Sequence, residues 1–252
     1  IGSLNTLTVR ADGTLAADNT DWVGIHNLLR DNLAAKKQAA GSGGGAAPVA
    51  AAELVALVMG GGGTARAACY ALQQMKVGAM HTHAHTHAHT HAHAHTLTHT
   101  HKHHSWRVRV CVRVRGQVGT MHVYNRSTDK AQALADEFGG QLMPELAEGA
   151  AALPRLDLLV SCVPGSAGLT LSHEQLASKK PIVLDAAYRP RETPLLAAAA
   201  AAGCVVIEGI EMLYEQGCAQ AEIWTHRPAP RAAIAEGLAA FTDSQSFGPL
   251  PA

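Results

Sequence analysis

Four consecutive glycines, Gly60 to Gly63, constrain the fold of this chain more than any other stretch. They follow the apolar, β-prone residues 55–59 and lead into small residues at 67–72 that suit the start of a helix. The pattern predicts a strand, a tight turn and a helix N-terminus. Because glycines lack a Cβ atom, a diphosphate can approach the backbone and meet free N–H groups at the positive end of the helix dipole. We therefore favour a dinucleotide-binding turn over a flexible glycine-rich loop.

The next strand of a dinucleotide-binding fold comes unusually late in the sequence. Such a fold places the residues that meet the adenosine ribose about 20 positions after the glycines. The nearest candidate strand, residues 121–124, is followed by Asn125, which lies 65 positions after Gly60. Removing residues 80–120 shortens this separation to 24 positions. Residues 80–120 are therefore predicted to be an insertion between the first helix and the second strand.

The predicted insertion consists of two low-complexity halves. Twelve histidines alternate mostly with Thr or Ala over 81–104, and Val alternates with Arg, or once with Cys, over 107–115. Both halves resemble translated dinucleotide repeats, so our leading hypothesis is retained non-coding sequence or an expanded repeat. The rival hypothesis is metal binding, because alternating histidines on an extended chain turn their imidazoles to one face. We expect adventitious binding but no defined metal site, since companion Cys or Asp ligands are not evident.

Composition narrows the class of protein. With 47% hydrophobic residues, 252 residues can bury a sizeable core or support two modest domains. The 20 basic and 20 acidic residues indicate no nucleic-acid partner, and no apolar run approaches the ~20 residues of a membrane span. Five scattered cysteines argue against a disulfide framework or zinc knuckle and fit a reducing compartment. They are Cys69, Cys111, Cys162, Cys204 and Cys218.

The opening residues predict a strand, a turn and a helix. Residues 3–9 alternate as a strand, and 11–13 (Ala-Asp-Gly) supply turn chemistry. Residues 19–21 (Asn-Thr-Asp) then begin an amphipathic segment that runs through Leu33. On spacing alone, residues 19–21 are best explained as a helix cap. The following stretch, 36–52, is predicted to be a flexible linker.

Strands and helices alternate after the predicted insertion, which indicates a parallel sheet with right-handed crossovers. Ser127 can cap a helix that runs to Phe138. Thr193 precedes another helix, with Pro194 at the first helical position. Further strands are predicted at 156–160, 181–185 and 204–207, and further helices at 209–224 and 229–241.

A series of short motifs also occurs in a fixed order along the chain. The motifs are Asn5-Thr6, Asp12-Gly13, Asn19-Thr20-Asp21, Gly60 to Thr64 with Arg66, Asn125-Arg126-Ser127, Asp185 with Tyr188, Thr193 to Leu196, Gly209, Glu211-Met212 and Gln216. With these motifs the chain resembles the shikimate dehydrogenases over almost its whole length outside the predicted linker and insertion. The resemblance implies an enzyme that reduces 3-dehydroshikimate to shikimate with NADPH.

The resemblance also implies a fold and a domain division. The fold class is α/β, with a doubly wound parallel-sheet (Rossmann) NADP domain over residues 53–208. Residues 1–35 would be the remnant of a smaller α/β substrate domain, to which helices over 209–243 return. Residues 244–252 would be a tail.

The resemblance is greatest to plant and algal enzymes, on the strength of Glu211-Met212 and residues 224–230. In those enzymes a dehydroquinate dehydratase domain precedes this one and the protein works in the plastid. We therefore expect a fused dehydratase upstream. The expected compartment is the plastid for a plant or algal protein and the cytoplasm otherwise.

Roles in the active site follow from the resemblance. Asp21 would be half of a catalytic Asp/Lys pair and would bind substrate hydroxyls. Asn5, Tyr188 and Gln216 would contact the substrate, and Gly209 would lie near the nicotinamide. The expected cofactor-binding residues are Gly60, Gly61, Gly62, Gly63, Thr64, Asn125, Arg126, Ser127, Lys130 and Gly209.

The residues after the second strand favour NADP over NAD. A carboxylate there would bind ribose hydroxyls and repel a 2′-phosphate. This chain instead has Asn125, Arg126 and Ser127, with Lys130 one turn further on. A guanidinium suits a phosphate because it offers several donors in a fixed planar fork.

Two departures from the family pattern affect the expected activity. The family's catalytic lysine lies upstream of the Asn-Thr strand, whereas Ile1 opens this sequence and Lys36 and Lys37 are no substitutes. We therefore expect an N-terminally truncated fragment without normal activity. The loop at 161–163, Ser-Cys-Val, replaces the family's Asn-Ala-Thr-type loop beside the nicotinamide. The alternatives are a quinate dehydrogenase, and an inactive NADP-binding fragment whose His tract binds metal adventitiously.

Overall fold

The structure is a computed structural model that describes residues 1–41, 54–77 and 119–243. The chain opens with an antiparallel hairpin of β1 (Thr6–Val9) and β2 (Leu15–Asp18). The predicted turn at 11–13 joins the two strands, and Asp12 accepts hydrogen bonds from the N–H of Thr14 at 2.9 Å and from its hydroxyl at 2.6 Å. These bonds fold the backbone back on itself and fix the hairpin register.

Helix α1 (Asp21–Gly41) is longer than the sequence predicts. The predicted end is Leu33, and the predicted linker begins at residue 36, but the chain stays helical to Gly41. The prediction was wrong for residues 36–41 because Ala, Lys and Gln, which dominate this stretch, are strong helix formers. The Lys36 ammonium also donates to the backbone oxygen of Lys180 at 2.5 Å, which ties this part of α1 to the body of the protein.

The remaining elements alternate as predicted. They are β3 (Ala56–Met59), α2 (Gly63–Val77), β4 (Met121–Tyr124), α3 (Thr128–Phe138), β5 (Gln141–Leu142), α4 (Leu146–Ala152), β6 (Leu158–Ser161), α5 (His173–Lys179), β7 (Ile182–Asp185), α6 (Pro194–Ala201), β8 (Val205–Ile207), α7 (Gly209–Thr225) and α8 (Arg231–Asp243). Elements β5, α4 and α5 were not predicted from the sequence. Five predicted strands thus become six.

The six strands form one parallel sheet in the order β5-β4-β3-β6-β7-β8. From β3 the chain first adds strands on one side, through β4 to β5, and then on the other side, through β6 and β7 to β8. This is the doubly wound α/β fold predicted from the sequence. Where the strand order reverses, between β3 and β6, the carboxyl ends of the strands open a crevice in which such folds bind ligands.

Helices cover both faces of the sheet. Alternate residues of β3 point to opposite faces, so Ala56 and Val58 join one buried cluster and Leu57 and Met59 join the other. The first cluster contains apolar residues of α1, α2, α3 and α7, and the second contains residues of α4, α5 and α6. A parallel sheet requires this burial on both sides. Helix α1 packs against both α2 and α7, which brings the opening residues next to the glycine turn and to the C-terminal helices.

Several predicted segments lie outside the described residues. These are the greater part of the predicted linker, the tail at 244–252, and the predicted insertion apart from Gly119 and Thr120, which includes the His tract and Cys111. Among the described helices, none is long and apolar enough to cross a membrane.

Candidate active site

The predicted glycine turn joins β3 to α2 as expected. Gly60 has φ = +135°, a backbone conformation that residues with a Cβ rarely adopt. Its N–H donates to the backbone oxygen of Tyr124 at 2.8 Å. A Cβ at Gly60 would also lie 3.1 Å from the Cβ of Cys162. Helix α2 begins at Gly63, and the first N–H groups of a helix have no partner within it. The turn therefore presents backbone donors at the crevice of the sheet.

The residues predicted to meet the adenosine end lie beside this turn. A Cβ on Gly61 would be 2.9 Å from the Asn125 side-chain nitrogen and 3.1 Å from the Cβ of Lys130. Asn125 is held in turn by a hydrogen bond to the Ser127 backbone oxygen at 3.1 Å. Arg126 is exposed and forms no hydrogen bond or ion pair with the part of the chain that the structure describes. Its guanidinium is therefore available to a ligand.

The residues predicted to bind the substrate line one cleft of about 270 Å³. The cleft lies between the opening hairpin, the start of α1, the carboxyl edge of the sheet and α7. Its lining consists of Asn5, Asp21, Thr64, Ala186, Tyr188, Gly209, Met212, Leu213, Gln216 and Gln220. All four predicted substrate residues are present, together with two of the predicted cofactor residues, Thr64 and Gly209.

Asn5 lies at the centre of a hydrogen-bond network in this cleft. Its amide nitrogen donates to the Asp21 carboxylate at 2.8 Å and to the Thr20 hydroxyl at 3.0 Å, and lies 3.3 Å from the Gln216 side-chain oxygen. Its amide oxygen accepts from the Thr20 N–H at 2.8 Å and from the Thr6 hydroxyl at 2.7 Å. The Thr20 hydroxyl lies 3.0 Å from the Gln216 oxygen. The network joins β1, α1 and α7 around a single carboxylate.

Asp21 is the first residue of α1, and Asn19, two positions earlier, takes the capping role predicted for residues 19–21. The side-chain oxygen of Asn19 accepts from the Asp21 N–H at 3.0 Å, which leaves the Asp21 side chain to line the cleft. Burial raises the pKa of Asp21 above its ordinary value, and the hydrogen bond from Asn5 partly opposes this rise. Asp21 is thus a carboxylate placed where its proton affinity is increased.

A larger cleft of about 600 Å³ adjoins the first. Thr64, Ala186 and Tyr188 line both clefts, so the two are continuous. The Cys162 thiol lines the larger cleft, and burial raises its pKa well above the ordinary value, which keeps it neutral and a poor nucleophile. A Cβ on Gly209 would lie 2.5 Å from the backbone oxygen of Ala187, so only glycine fits where α7 meets the smaller cleft.

A buried carboxylate shapes the loop at 186–192 that lines both clefts. Asp185, which is 2% exposed, accepts from the Thr193 hydroxyl at 2.7 Å and from the Ala187 N–H at 3.2 Å. Thr193 in turn caps α6 by accepting from the Leu196 N–H at 3.3 Å. Burial raises the pKa of Asp185, while these hydrogen bonds oppose the rise. The two ends of the loop are thereby joined.

Sequence reasoning missed several residues of the site. Gln220 lines the smaller cleft, and its spacing of one helical turn from Gln216 was a usable signal. Ser3 was not singled out, although its hydroxyl donates to the Gly63 oxygen at 3.1 Å and accepts from Asn19 at 3.0 Å. The described residues contain no group of three His, Cys, Asp or Glu side chains that could hold a metal ion.

Comparisons with known proteins place this site in a family. A profile of the shikimate 5'-dehydrogenase C-terminal domain matches residues 209–236. The crystal structure of Mycobacterium tuberculosis shikimate dehydrogenase is 31% identical to the chain, with a TM-score of 0.60, and the match covers 95% of this chain and 68% of that one. The chain belongs to the shikimate dehydrogenase family.

Two further relatives are longer than this member of the shikimate dehydrogenase family. Shikimate dehydrogenase (NADP(+)) of Nitrobacter hamburgensis is 36% identical over 137 residues, which cover 52% of this chain and 47% of that protein. Dehydroquinate dehydratase and shikimate dehydrogenase from S. pombe AroM share the fold at 23% identity, with a TM-score of 0.59 over 94% of this chain and 38% of that one. The chain spans about half the length of the curated shikimate dehydrogenase that it matches.

Proposed function

We propose that this protein is an NADP-dependent oxidoreductase that interconverts 3-dehydroshikimate and shikimate. One observation carries the proposal: Asp21, Asn5, Tyr188 and Gln216, which are separated by up to 211 positions, line a single cleft with Gly209. The cleft is continuous with a larger one at the crevice of the sheet. A small polyhydroxylated substrate therefore has hydroxyl-binding groups next to the place where a dinucleotide fold holds its coenzyme.

The site fits a coenzyme on the observed geometry. Gly60 to Gly63 carry no side chains that would block access to the start of α2. Thr64, the next residue, lines both clefts. We propose that these residues hold the diphosphate and that Arg126, with Asn125, Ser127 and Lys130, holds a 2′-phosphate. We propose that Gly209, which lines the substrate cleft, lies near the nicotinamide end. Bound NADPH supplies hydride to the substrate.

Asp21 is proposed to bind and orient the reacting hydroxyl. Reduction of a ketone to an alcohol adds a hydride to carbon and a proton to oxygen. Asn5 occupies one of the roughly four lone-pair positions of the carboxylate, which leaves others for substrate hydroxyls. The proton comes from a partner of higher pKa, which the family resemblance identifies as a lysine upstream of the Asn-Thr strand.

The domain division follows the same proposal. We assign residues 53–208 to the NADP domain, and residues 1–35 with 209–243 to the substrate domain. Helix α7 supports this division, because Gln216 reaches across to the hairpin side of the cleft. A fused dehydroquinate dehydratase, as in the S. pombe protein, is the partner we propose upstream. The plastid is the compartment we propose for a plant or algal form, and imaging of the full-length protein fused to a fluorescent protein tests it.

Ligand binding and turnover test the proposed function separately. Isothermal titration of the purified chain with NADPH, and of its NADPH complex with shikimate, measures the two sites. Turnover is followed at 340 nm on the full natural protein with NADP⁺ and either shikimate or quinate. Faster oxidation of shikimate supports the proposal, whereas a preference for quinate would reassign the substrate. Binding of neither ligand and no turnover would reject the enzyme function.

A further inference from the structure

Gln220 is a cleft residue to which the family motifs assign no role. It lies one turn after Gln216 on α7 and lines the same cleft. Its amide nitrogen has two hydrogens, and both are donated to residues at the start of β1 or immediately before it. One is donated to the Asn5 backbone oxygen at 3.2 Å and the other to the Thr6 hydroxyl oxygen at 3.0 Å.

The bond from Gln220 fixes the direction in which the Thr6 hydroxyl donates. A hydroxyl has a single hydrogen. Because Gln220 can only donate through its nitrogen, the Thr6 hydrogen is left for the Asn5 side-chain oxygen, 2.7 Å away. Thr6 is 1% exposed, so its hydroxyl is shielded from solvent that could otherwise take over either bond.

The side-chain oxygen of Asn5 accepts a second hydrogen bond in addition to the one from Thr6. The Thr20 N–H donates to the same oxygen at 2.8 Å, and the Thr20 hydroxyl lies 3.2 Å from it. Two donors on the oxygen leave the amide nitrogen on the opposite side, where it donates to the Asp21 carboxylate at 2.8 Å. A rotated amide would instead turn its N–H groups toward two donors and its oxygen toward a carboxylate.

We propose that Gln220 is a positioning residue that acts through the Thr6 hydroxyl to keep the amide nitrogen of Asn5 turned toward the Asp21 carboxylate. Its effect on substrate binding rests on the function proposed above, whereas the orientation of Asn5 does not. Without the donor from Gln220, the Thr6 hydroxyl can rotate away. Asn5 then has one donor fewer on its oxygen and holds Asp21 less firmly.

A second residue on the same helix serves as a control for a purely structural role of Gln220. Trp224 lies one turn further along α7 and donates from its ring nitrogen to the Leu7 backbone oxygen at 3.0 Å. Gln220 and Trp224 therefore both attach α7 to β1. Only Gln220 is connected to Asn5 and Asp21, so a loss of attachment alone would affect the two variants alike.

The test is the titration of the Asp21 carboxyl, followed by 13C NMR in the ligand-free protein. The variants are Gln220→Met, Thr6→Val, the double variant, the conservative Thr6→Ser and the control Trp224→Phe. The neighbouring carboxyl of Asp185 is assigned separately, so that its titration is not mistaken for that of Asp21. A hydrogen bond to the charged form lowers the pKa of a carboxyl, so its loss raises that pKa.

The proposal predicts a higher pKa of Asp21 in Gln220→Met and in Thr6→Val, and no further rise in the double variant, because both residues act through one chain of bonds. Thr6→Ser and Trp224→Phe leave that pKa as it is. An unchanged pKa in the first two variants, additive rises in the double variant, or an equal rise in Trp224→Phe would overturn it. If Gln220→Met does not fold, the Thr6→Val and Thr6→Ser pair decides.

Substrate binding is measured separately on the same variants. If the proposed function holds, shikimate binding to the NADPH complex weakens about tenfold in Gln220→Met and Thr6→Val, the size expected for one hydrogen bond to a charged group. Absence of shikimate binding in the unaltered protein would reject the proposed function. The NMR result would still decide the orientation of Asn5.

Discussion

At the scale of single residues, the site places a carboxylate where folding disfavours its charge. Burial raises the pKa of Asp21 above the ordinary value of 3.8, and the Asn5 amide only partly compensates. An acid with a raised folded-state pKa binds its proton more tightly when folded, so stability falls as the pH rises through the interval between the unfolded and folded pKa values. Asp21 is therefore kept ionised at a cost in stability, as expected of a functional group.

Asp21→Asn should separate stability from function. Asparagine carries no charge to desolvate, so the variant should have a higher Tm than the unaltered protein at pH 7. The gain should disappear well below pH 3.8, where Asp21 is protonated in both the folded and the unfolded state. Turnover by the full natural protein should fall about 10²–10⁴-fold, the range expected when one member of a catalytic acid–base pair is lost. Thermal unfolding at several pH values and steady-state kinetics measure the two effects, and a Tm lowered at pH 7 would contradict the account.

At the scale of elements, the loop after β7 depends on one capping residue. Thr193 caps α6 and also donates to the buried Asp185 carboxylate. Ser172 caps α5 with the same kind of bond, but it is exposed and lines neither cleft. Both hydroxyls accept from the N–H three residues further on, although Ser172 also forms a capping box with Gln175. This makes them a matched pair.

Thr193→Val should therefore lower the free energy of unfolding by more than the loss of a helix cap alone. We expect destabilisation of about 2–4 kcal/mol, because the cap is worth roughly 1 kcal/mol and a buried carboxylate loses a donor as well. Shikimate and NADPH should also bind more weakly, since Tyr188 on the loop lines both clefts. Ser172→Ala should cost about 1 kcal/mol and leave binding unchanged. Urea unfolding and calorimetry measure both, and equal losses in the two variants would refute the special role of Thr193.

Element prediction from the sequence succeeded where local signals were strong and failed where they were absent. The glycine turn and the Thr193-Pro194 helix start carry their own chemistry, and both were predicted correctly. Strand β5 has only two residues, which is too short for any periodicity to show. The end of α1 was missed because an Ala- and Lys-rich stretch suits a helix as well as a linker, and its contact with Lys180 is not visible in sequence.

At the scale of the whole molecule, one chain of hydrogen bonds connects the two binding regions. The Gly63 oxygen in the glycine turn accepts from Ser3, whose oxygen accepts from Asn19, whose oxygen accepts from the Asp21 N–H. No sequence signal revealed this chain, because Ser3 and Gly63 are 60 positions apart and meet only after folding. The bond between Gln220 and Asn5, which are 215 positions apart, also forms only after folding, although the helical spacing from Gln216 was a signal for Gln220 itself. The motif residues of the site were predictable, whereas the residues that hold them were not.

Ser3→Ala should weaken the coupling between coenzyme and substrate binding. Coupling is the factor by which bound NADPH changes the affinity for shikimate, and linkage makes it reciprocal. Removing both hydrogen bonds of the Ser3 hydroxyl should reduce this factor about two- to fivefold while leaving each separate affinity nearly unchanged. Ser178→Ala, which removes a hydroxyl bond on the surface of α5, is the control. Calorimetric titration of each ligand with and without the other measures the factor, and an unchanged factor in Ser3→Ala would contradict the prediction.

The central claim is that the glycine turn and the neighbouring guanidinium together select NADPH. Arg126 is exposed and forms no bond with the described part of the chain, so its removal should leave the fold intact. The decisive measurement is the affinity of the unaltered protein and of Arg126→Ala for NADPH and for NADH. We predict that Arg126→Ala binds NADPH about 10–100-fold more weakly and NADH equally well, because only NADPH carries the 2′-phosphate. Equal weakening for both coenzymes, or no NADPH binding by the unaltered protein, would contradict the account.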